Sequence, residues 1–266
     1  MPQPTHQVAD PSATLPARPR WWTQAVLIGV VLLAYDAINN LNPLRPATAM
    51  THAAEVMRLE LRLHLDPELS LNRWLGGHLG LGRFVGDYYD LAHLVVTLAV
   101  LAWVWWRHSS KYRTVRNALL GINAVGFVVF WLFPVAPPRM LSALGFIDVV
   151  AAAHSLGAWS SGTLASQANE YAAMPSLHVA WAIWCAYAIW AVHADRLKRT
   201  VAVAYASATA IAVMATANHY FLDVVAGAAT AALATAAAVR VSSPSGRQRT
   251  WRRADTEVDA VRGRVS

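Results

Sequence analysis

Ala173-Met174-Pro175-Ser176-Leu177-His178-Val179-Ala180-Trp181 is a short polar knot that opens an apolar run reaching Val192. Pro175 suits the first turn of a helix, where its missing N–H removes no intrahelical bond. On that reading Ser176 and His178 share the first turn, where unpaired backbone N–H groups and the positive end of the helix dipole favour an anion. The run behind them is long enough to enter a bilayer, so the stretch predicts a serine and a histidine at a membrane surface. A second knot, Asn218-His219-Tyr220-Phe221-Leu222-Asp223, separates two further apolar runs. His219 and Asp223 stand four apart, which puts them on one face of a helix.

The rest of the chain agrees with a membrane setting. It is 56% hydrophobic and 14% charged, against about 25% charged in a typical soluble domain. Several runs of roughly 20 mostly apolar residues have the length of bilayer spans. The net charge of +7 does not indicate nucleic acid, because the basic residues sit in short segments between apolar runs and in the tail. The single cysteine, Cys185, allows no internal disulfide and reads as a small packing residue. No small-x-small site closes the first apolar run, so that run reads as a retained span rather than a signal peptide.

The expected fold is all-α and polytopic, with six transmembrane helices and a short amphipathic segment at the interface. A disordered N-terminal tail covers residues 1–20, the membrane domain 21–240, and a basic disordered tail 241–266. The spans are expected at about 21–38, 84–106, 117–133 and 175–192, with a fifth and a sixth within 201–239, divided at Asn218-His219. Residues 47–75 mix Val56, Leu59 and Leu63 with Arg58, Glu60 and Arg62, too charged to cross lipid, and Pro67 breaks the segment in two. Glycines 76, 77, 80 and 82 read as a flexible turn. Residues 140–172 form a long loop with no lysine or arginine. Small residues in the last two spans, such as Ala202, Ala206 and Ala210, allow close helix approach.

Six spans put both termini on one side of the membrane. The N-terminal segment, the 107–116 and 196–199 loops and the C-terminal tail then hold 16 of the 22 basic residues, which assigns that side to the cytoplasm of a plasma membrane. The same assignment brings Arg139, Ser176, His178, His219 and Asp223 to the extracytoplasmic face.

Those five residues suffice for phosphoryl transfer without a metal or other cofactor. Arg139, Ser176 and backbone N–H groups suit the phosphoryl oxygens. A neutral His219 can attack phosphorus, with Asp223 fixing its tautomer and stabilising the cation. His178 can protonate the leaving oxygen and then deprotonate the incoming alcohol. Asp36, Asp87, Asp90 and His93 are candidates for an acceptor pocket, because ionisable groups in spans are usually functional. The expected partners are a membrane lipid donor and a lipid or polyol alcohol acceptor. His52, His64, His78, His108, His154 and His193 read as surface histidines, and the tryptophans as interface anchors. Three rivals remain open: a zinc site of His178, His219 and Asp223, an intramembrane serine protease using Ser176 and His219, and a non-catalytic transporter.

Pro-Ser-Leu-His at 175–178 and His-Tyr-x-x-Asp at 219–223 resemble the second and third signature motifs of the type 2 phosphatidic acid phosphatase superfamily. Leu177, where the phosphatases usually have glycine, and Pro137-Pro138-Arg139-Met140 resemble the inositol phosphorylceramide synthase branch, whose members are lipid inositolphosphotransferases. The resemblance covers about residues 85–240. It implies His219 as nucleophile, Asp223 as its partner, His178 as acid and base, Arg139 and Ser176 as phosphate ligands, and phosphoinositol as a head group. Two phosphatase features are missing: no lysine lies between Arg116 and Arg139, and Ala212-Val213 stands where Ser-Arg is usual. These departures leave transfer to an alcohol ahead of hydrolysis, with a lipid phosphate phosphatase as the alternative.

Overall fold

A computed structural model describes residues 18–41, 45–155 and 171–243. Among them the elements are helical: α1 Trp21–Leu41, α2 Pro46–Leu63, α3 Pro67–Gly76, α4 Leu79–Arg107, α5 Ser109–Leu132, α6 Val149–Ala152, α7 Leu177–Val192, α8 Arg196–Ala215 and α9 Phe221–Ser242. One isolated parallel bridge joins Val135 to Ala172. The expectations for the tail residues 1–17 and 244–266, and for 156–170 of the long loop, lie outside the described residues.

Helices α4, α5, α7, α8 and α9 pack into a bundle. Its core joins Val104 on α4, Val115, Ala118 and Ile122 on α5, Trp184 and Ala188 on α7, and Ala231 and Ala238 on α9. Alanines line α9 where it meets α5, and a Cβ on Gly121 would come within 3.2 Å of Ala234 Cβ. Small side chains here set the helix spacing. Trp184 is fully buried and donates its indole N–H to the Val115 carbonyl at 2.7 Å. It is therefore a core residue, and the interface-anchor expectation fails for it because an internal carbonyl satisfies its one donor. Cys185 is buried beside it, as expected of a packing residue.

Four of the described helices are long and apolar enough to cross a membrane: α4, α5, α8 and α9. Only 17–33% of each apolar window is buried within the protein. Residues such as Val128, Leu132, Ile211, Val225 and Leu233 point outward from the bundle. So much exposed apolar surface requires a covering medium, and a bilayer supplies it. Two shorter apolar helices, Trp21–Val31 within α1 and α7 itself, occupy the first and fourth expected spans. At 16 residues, α7 extends about 24 Å, short of the ~30 Å hydrocarbon thickness.

Several boundaries differ from the sequence reading. Pro175 is not in the first turn of α7: Ser176 is the N-cap, and Pro175 precedes it, itself joined to Met174 by a cis peptide bond. Helix α4 begins at Leu79, so Gly80 and Gly82 are helical rather than part of a flexible turn. There Gly82 and Gly86 serve close packing, since a Cβ on Gly82 would lie 2.9 Å from Val149 Cγ1 and one on Gly86 2.8 Å from Ser155. Helix α5 begins at Ser109, with Lys111, Arg113 and Arg116 inside it. Arg116 is held by Gln24 of α1 at 2.9 Å, a partner that local hydropathy does not reveal.

Helices α2 and α3 flank one end of the bundle, with Pro46 and Pro67 each in a first turn. They are more than a surface layer. Ala49, Ala53, Val56 and Met57 join Val135, Ala136, Ala173, Ala217 and Tyr220 in a second core. Asn72 binds α3 to the Ile147 and Ala215 carbonyls at 2.9 and 3.0 Å. His52 donates from Nδ1 to the Pro134 carbonyl, 2.8 Å away, and stacks on Phe133. The expectation of a surface histidine fails for His52, which is half-buried because α2 lies across the 133–136 segment.

Candidate active site

Three backbone segments meet at the end of the bundle covered by α2 and α3. The segment after α5 is tied to the one before α7 by Val135 N–H to the Tyr171 carbonyl and Ala173 N–H to the Val135 carbonyl, at 2.8 and 3.2 Å. Arg139 N–H reaches the Ala217 carbonyl at 2.9 Å, and Tyr220 Oη–H the Ala136 carbonyl at 3.1 Å. Ser176 N–H donates to the Asp223 carbonyl at 3.0 Å, joining the two polar knots directly. That approach depends on Gly227, one turn into α9, where a Cβ would stand 2.4 Å from the Ser176 carbonyl oxygen.

His219 and Asp223 are buried side by side. His219 Nδ1 lies 2.8 Å from the Ala173 carbonyl and 3.4 Å from Asp223 Oδ2. A carbonyl only accepts, so Nδ1 carries the hydrogen and Nε2 keeps the lone pair in the neutral ring. Asp223 Oδ2 also accepts the Tyr220 N–H at 2.9 Å, capping the helix on which it sits. The Ala173 carbonyl is the nearer of the two groups that orient His219, and side-chain spacing gave no sign of it.

His178 occupies the first turn of α7, with its ring centroid 5.6 Å from that of His219. Tyr89 stacks on it at 4.3 Å, and His93 meets it edge-on at 4.2 Å. Ser176 Oγ accepts the Val179 N–H at 3.4 Å and is fully buried, so its side chain is engaged as an N-cap. A small cavity beside His178 is lined by Tyr88, Tyr89, His93, Thr209, Ala212 and Val213. Ala212-Val213, the pair singled out for lacking an arginine, thus gives this wall of the site an apolar lining. Leu177 packs on α5 where Gly126 makes room, since a Cβ on Gly126 would come within 2.7 Å of it.

Arg139 reaches Asn218 Oδ1, the neighbour of His219 in sequence, through Nη1. Its Nε lies 3.6 Å from Asp148 Oδ2, an ion pair the sequence reading did not foresee. Of the acceptor-pocket candidates, His93 lines the cavity, whereas Asp87 and Asp90 on α4 are not among its lining residues. Asp36 belongs to α1, and its side chain lies outside the described residues. Among the described residues no group of three or more His, Cys, Asp or Glu side chains is arranged to hold a metal ion.

Two further acids were missed. Glu60 on α2 and Glu68 on α3 are both fully buried. Glu60 Oε1 accepts the N–H of Leu222, in the first turn of α9, at 2.6 Å. Burial first, and then the neighbouring Glu68, pushes the Glu60 carboxyl up to about 9, and burial also raises Glu68. Tyr220 is likewise raised, by burial and then by the charges of Asp223, Glu60 and Glu68. The one available sequence signal was a pair of acids eight apart on either side of Pro67, which reads equally as a solvated face.

The family model described as the PAP2 superfamily matches residues 54–237, well over half of the chain. The match starts earlier than the resemblance read from the motifs and takes in most of α2 and all of α3. No curated protein and no solved structure gives a significant match.

Proposed function

The chain belongs to the PAP2 superfamily, and from that premise we propose that it is an integral membrane phosphotransferase moving a phosphoryl-linked head group from a lipid donor to an alcohol. Superfamily membership supports phosphatase or phosphotransferase activity on lipid phosphates. The observation that carries the reading further is the pair of facing imidazoles, with Nδ1 of His219 bound to the Ala173 carbonyl and Asp223 close by.

In this reaction His219 Nε2 attacks phosphorus, an N–P bond forms, and the bond to the lipid oxygen breaks. His178 gives its proton to that oxygen, and the lipid alcohol leaves. The positive charge that develops on His219 is met by Asp223 Oδ2. In the second half His178 takes the proton of the acceptor hydroxyl, whose oxygen attacks phosphorus and releases His219. Arg139, next to Asn218, neutralises the phosphoryl oxygens. No step requires a metal ion.

Leu177, held against Gly126, and the apolar Ala212-Val213 wall favour the inositolphosphotransferase branch over the phosphatases. Phosphoinositol is the head group this reading assigns. Purified protein incubated with labelled phosphatidylinositol and a set of lipid alcohols is expected to yield a labelled phosphoinositol lipid. Free phosphate as the sole product would instead establish the phosphatase alternative.

The proposed setting is a plasma membrane crossed six times, with α1 and α7 completing the set, both termini cytoplasmic and the site on the far face. Ser142 at the site end and Ser110 at the other are both exposed. With Cys185 replaced by alanine, a cysteine at Ser142 is expected to react with an impermeant thiol reagent on intact cells, and one at Ser110 is not. The reverse pattern would invert the orientation.

A further inference from the structure

Besides Asp223 Oδ1, three buried carboxyl oxygens on α2 and α3 lack an ordinary partner. Glu60 Oε2 and both oxygens of Glu68 meet no other hydrogen-bond donor at bonding geometry among the described residues. The two side chains lie within hydrogen-bonding reach of each other. Neither makes a salt bridge to a described residue: Arg58, Arg62 and Arg73 on the same two helices are exposed, and Arg139 is engaged by Asn218 and Asp148. The other titratable groups facing the pair are acids or a phenol: Asp66 ahead of α3, Tyr220, and Asp223 on α9. Two bare carboxylates in such surroundings repel each other and lose hydration with no cation in return, and the Leu222 N–H on Glu60 Oε1 offsets only part of that cost. One proton held between them removes the repulsion and supplies the missing donor.

The fixed acceptor in this arrangement is Glu60 Oε1, which holds the N–H of Leu222. Leu222 adjoins Asp223, and the same turn carries the Tyr220 N–H bound by Asp223 Oδ2 and the Asp223 carbonyl that holds Ser176. We propose that Glu60 and Glu68 are positioning residues that share one proton and clamp the first turn of α9, holding Asp223 in register with His219 and with the Ser176 knot. Loss of that proton loosens the clamp and places a second negative charge behind Asp223. The role rests on the reading of His219 and Asp223 as the reacting pair, but the shared proton itself does not.

The linkage has a definite sign. The Glu60 carboxyl is raised from its ordinary 4.5 to about 9, so between those values the folded protein holds a proton that the unfolded chain has released. This contribution is fully present below about 4.5 and is lost progressively as pH rises through about 9.

Glu60→Gln tests the proposal because its carboxamide accepts from Leu222 and donates to Glu68 without titrating. Wild-type kcat is expected to fall as pH passes about 9. Glu60→Gln is expected to keep kcat within about twofold at neutral pH and to move the alkaline limb up by at least about one pH unit. Glu60→Ala, lacking the clamp, is expected to lose about 10–100-fold in kcat with KM changed less than about twofold. A substrate-free readout accompanies the kinetics: the melting temperature of the wild type falls as pH is raised from 5 towards 9, and that fall is flattened in Glu60→Gln and in Glu68→Gln. An unchanged alkaline limb in Glu60→Gln, a wild-type kcat in Glu60→Ala, or an unflattened melting profile in both glutamine variants would each overturn the proposal. A wild type that turns over no lipid phosphate would sink the functional reading instead, and the melting profile would still decide the shared proton.

Discussion

Two pairs of histidines sit at opposite ends of α7, and their rings are almost equally far apart. His178 and His219 are separated by 5.6 Å between centroids, and His108 and His193 by 5.8 Å. At the site end His219 is buried, its Nδ1 faces a carbonyl and a carboxylate, and three backbone segments lock around it. At the other end His193 follows the last turn of α7, stacks on Trp103 at 5.3 Å, and is only half-buried. His108 is held below the ordinary histidine value by desolvation, then by the like charges of His193 and Arg107. Among the described residues no hydrogen bond to either ring there orients an imidazole for attack. Two histidines within reach of each other do not make a catalytic pair; the groups that fix tautomer and direction do.

The contrast can be broken by mutation, and the largest effect belongs to the site pair. His178→Ala is expected to slow transfer by about 10²–10⁴-fold through loss of proton transfer. It should lose least with a nitrophenyl phosphate ester, whose leaving group needs no proton. A similar loss with both donors would deny His178 the role of acid. Gly227→Ala comes next. Its new Cβ collides with the Ser176 carbonyl and forces the two knots apart, for an expected loss of about 10–100-fold in kcat. The same change should lower stability by about 1–3 kcal/mol, read by thermal melting. Wild-type kinetics in Gly227→Ala would show that the knots need not touch.

Two smaller effects sharpen the comparison. Asp148→Asn releases Arg139 from a partly exposed ion pair, and such pairs contribute about 0.2–1 kcal/mol. The lipid phosphate KM is therefore expected to fall by no more than about fivefold, with kcat nearly unchanged. His193→Ala and His108→Ala should change kcat by less than about twofold, within the surface-substitution range. A loss comparable to that of His178→Ala would abolish the distinction between the two ends.

The parts of this molecule that depend on local pattern were legible in the sequence. The two knots, the break at Pro67, and the division of the last apolar stretch near His219 all follow from spacing and hydropathy. The convergence of Arg139, His178, His219 and Asp223 at one end followed from alternating the direction of successive spans. What escaped was made of backbone. The Ala173 carbonyl that orients His219, and the Ser176 carbonyl that requires Gly227, carry no side-chain signature. Pro175 was placed two positions too far into its helix, because Leu177 is the first helical residue and the N-cap role falls to Ser176. Glu60 and Glu68 escaped because an acid on an amphipathic helix reads as solvated until the opposing surface is known. Here that surface is the start of α9, whose free N–H groups need acceptors.

The most direct test of a covalent mechanism is to trap the intermediate. Wild-type protein is mixed with a donor labelled in the phosphoryl-linked head group in the absence of acceptor, denatured in alkali, and assayed for protein-bound label that acid releases. The expected result is acid-labile, alkali-stable label on the wild type. On His178→Ala the label should accumulate from the nitrophenyl donor, and none should appear on a folded His219→Ala. Label of the same kind and amount on His219→Ala would contradict the assignment of His219 as the nucleophile.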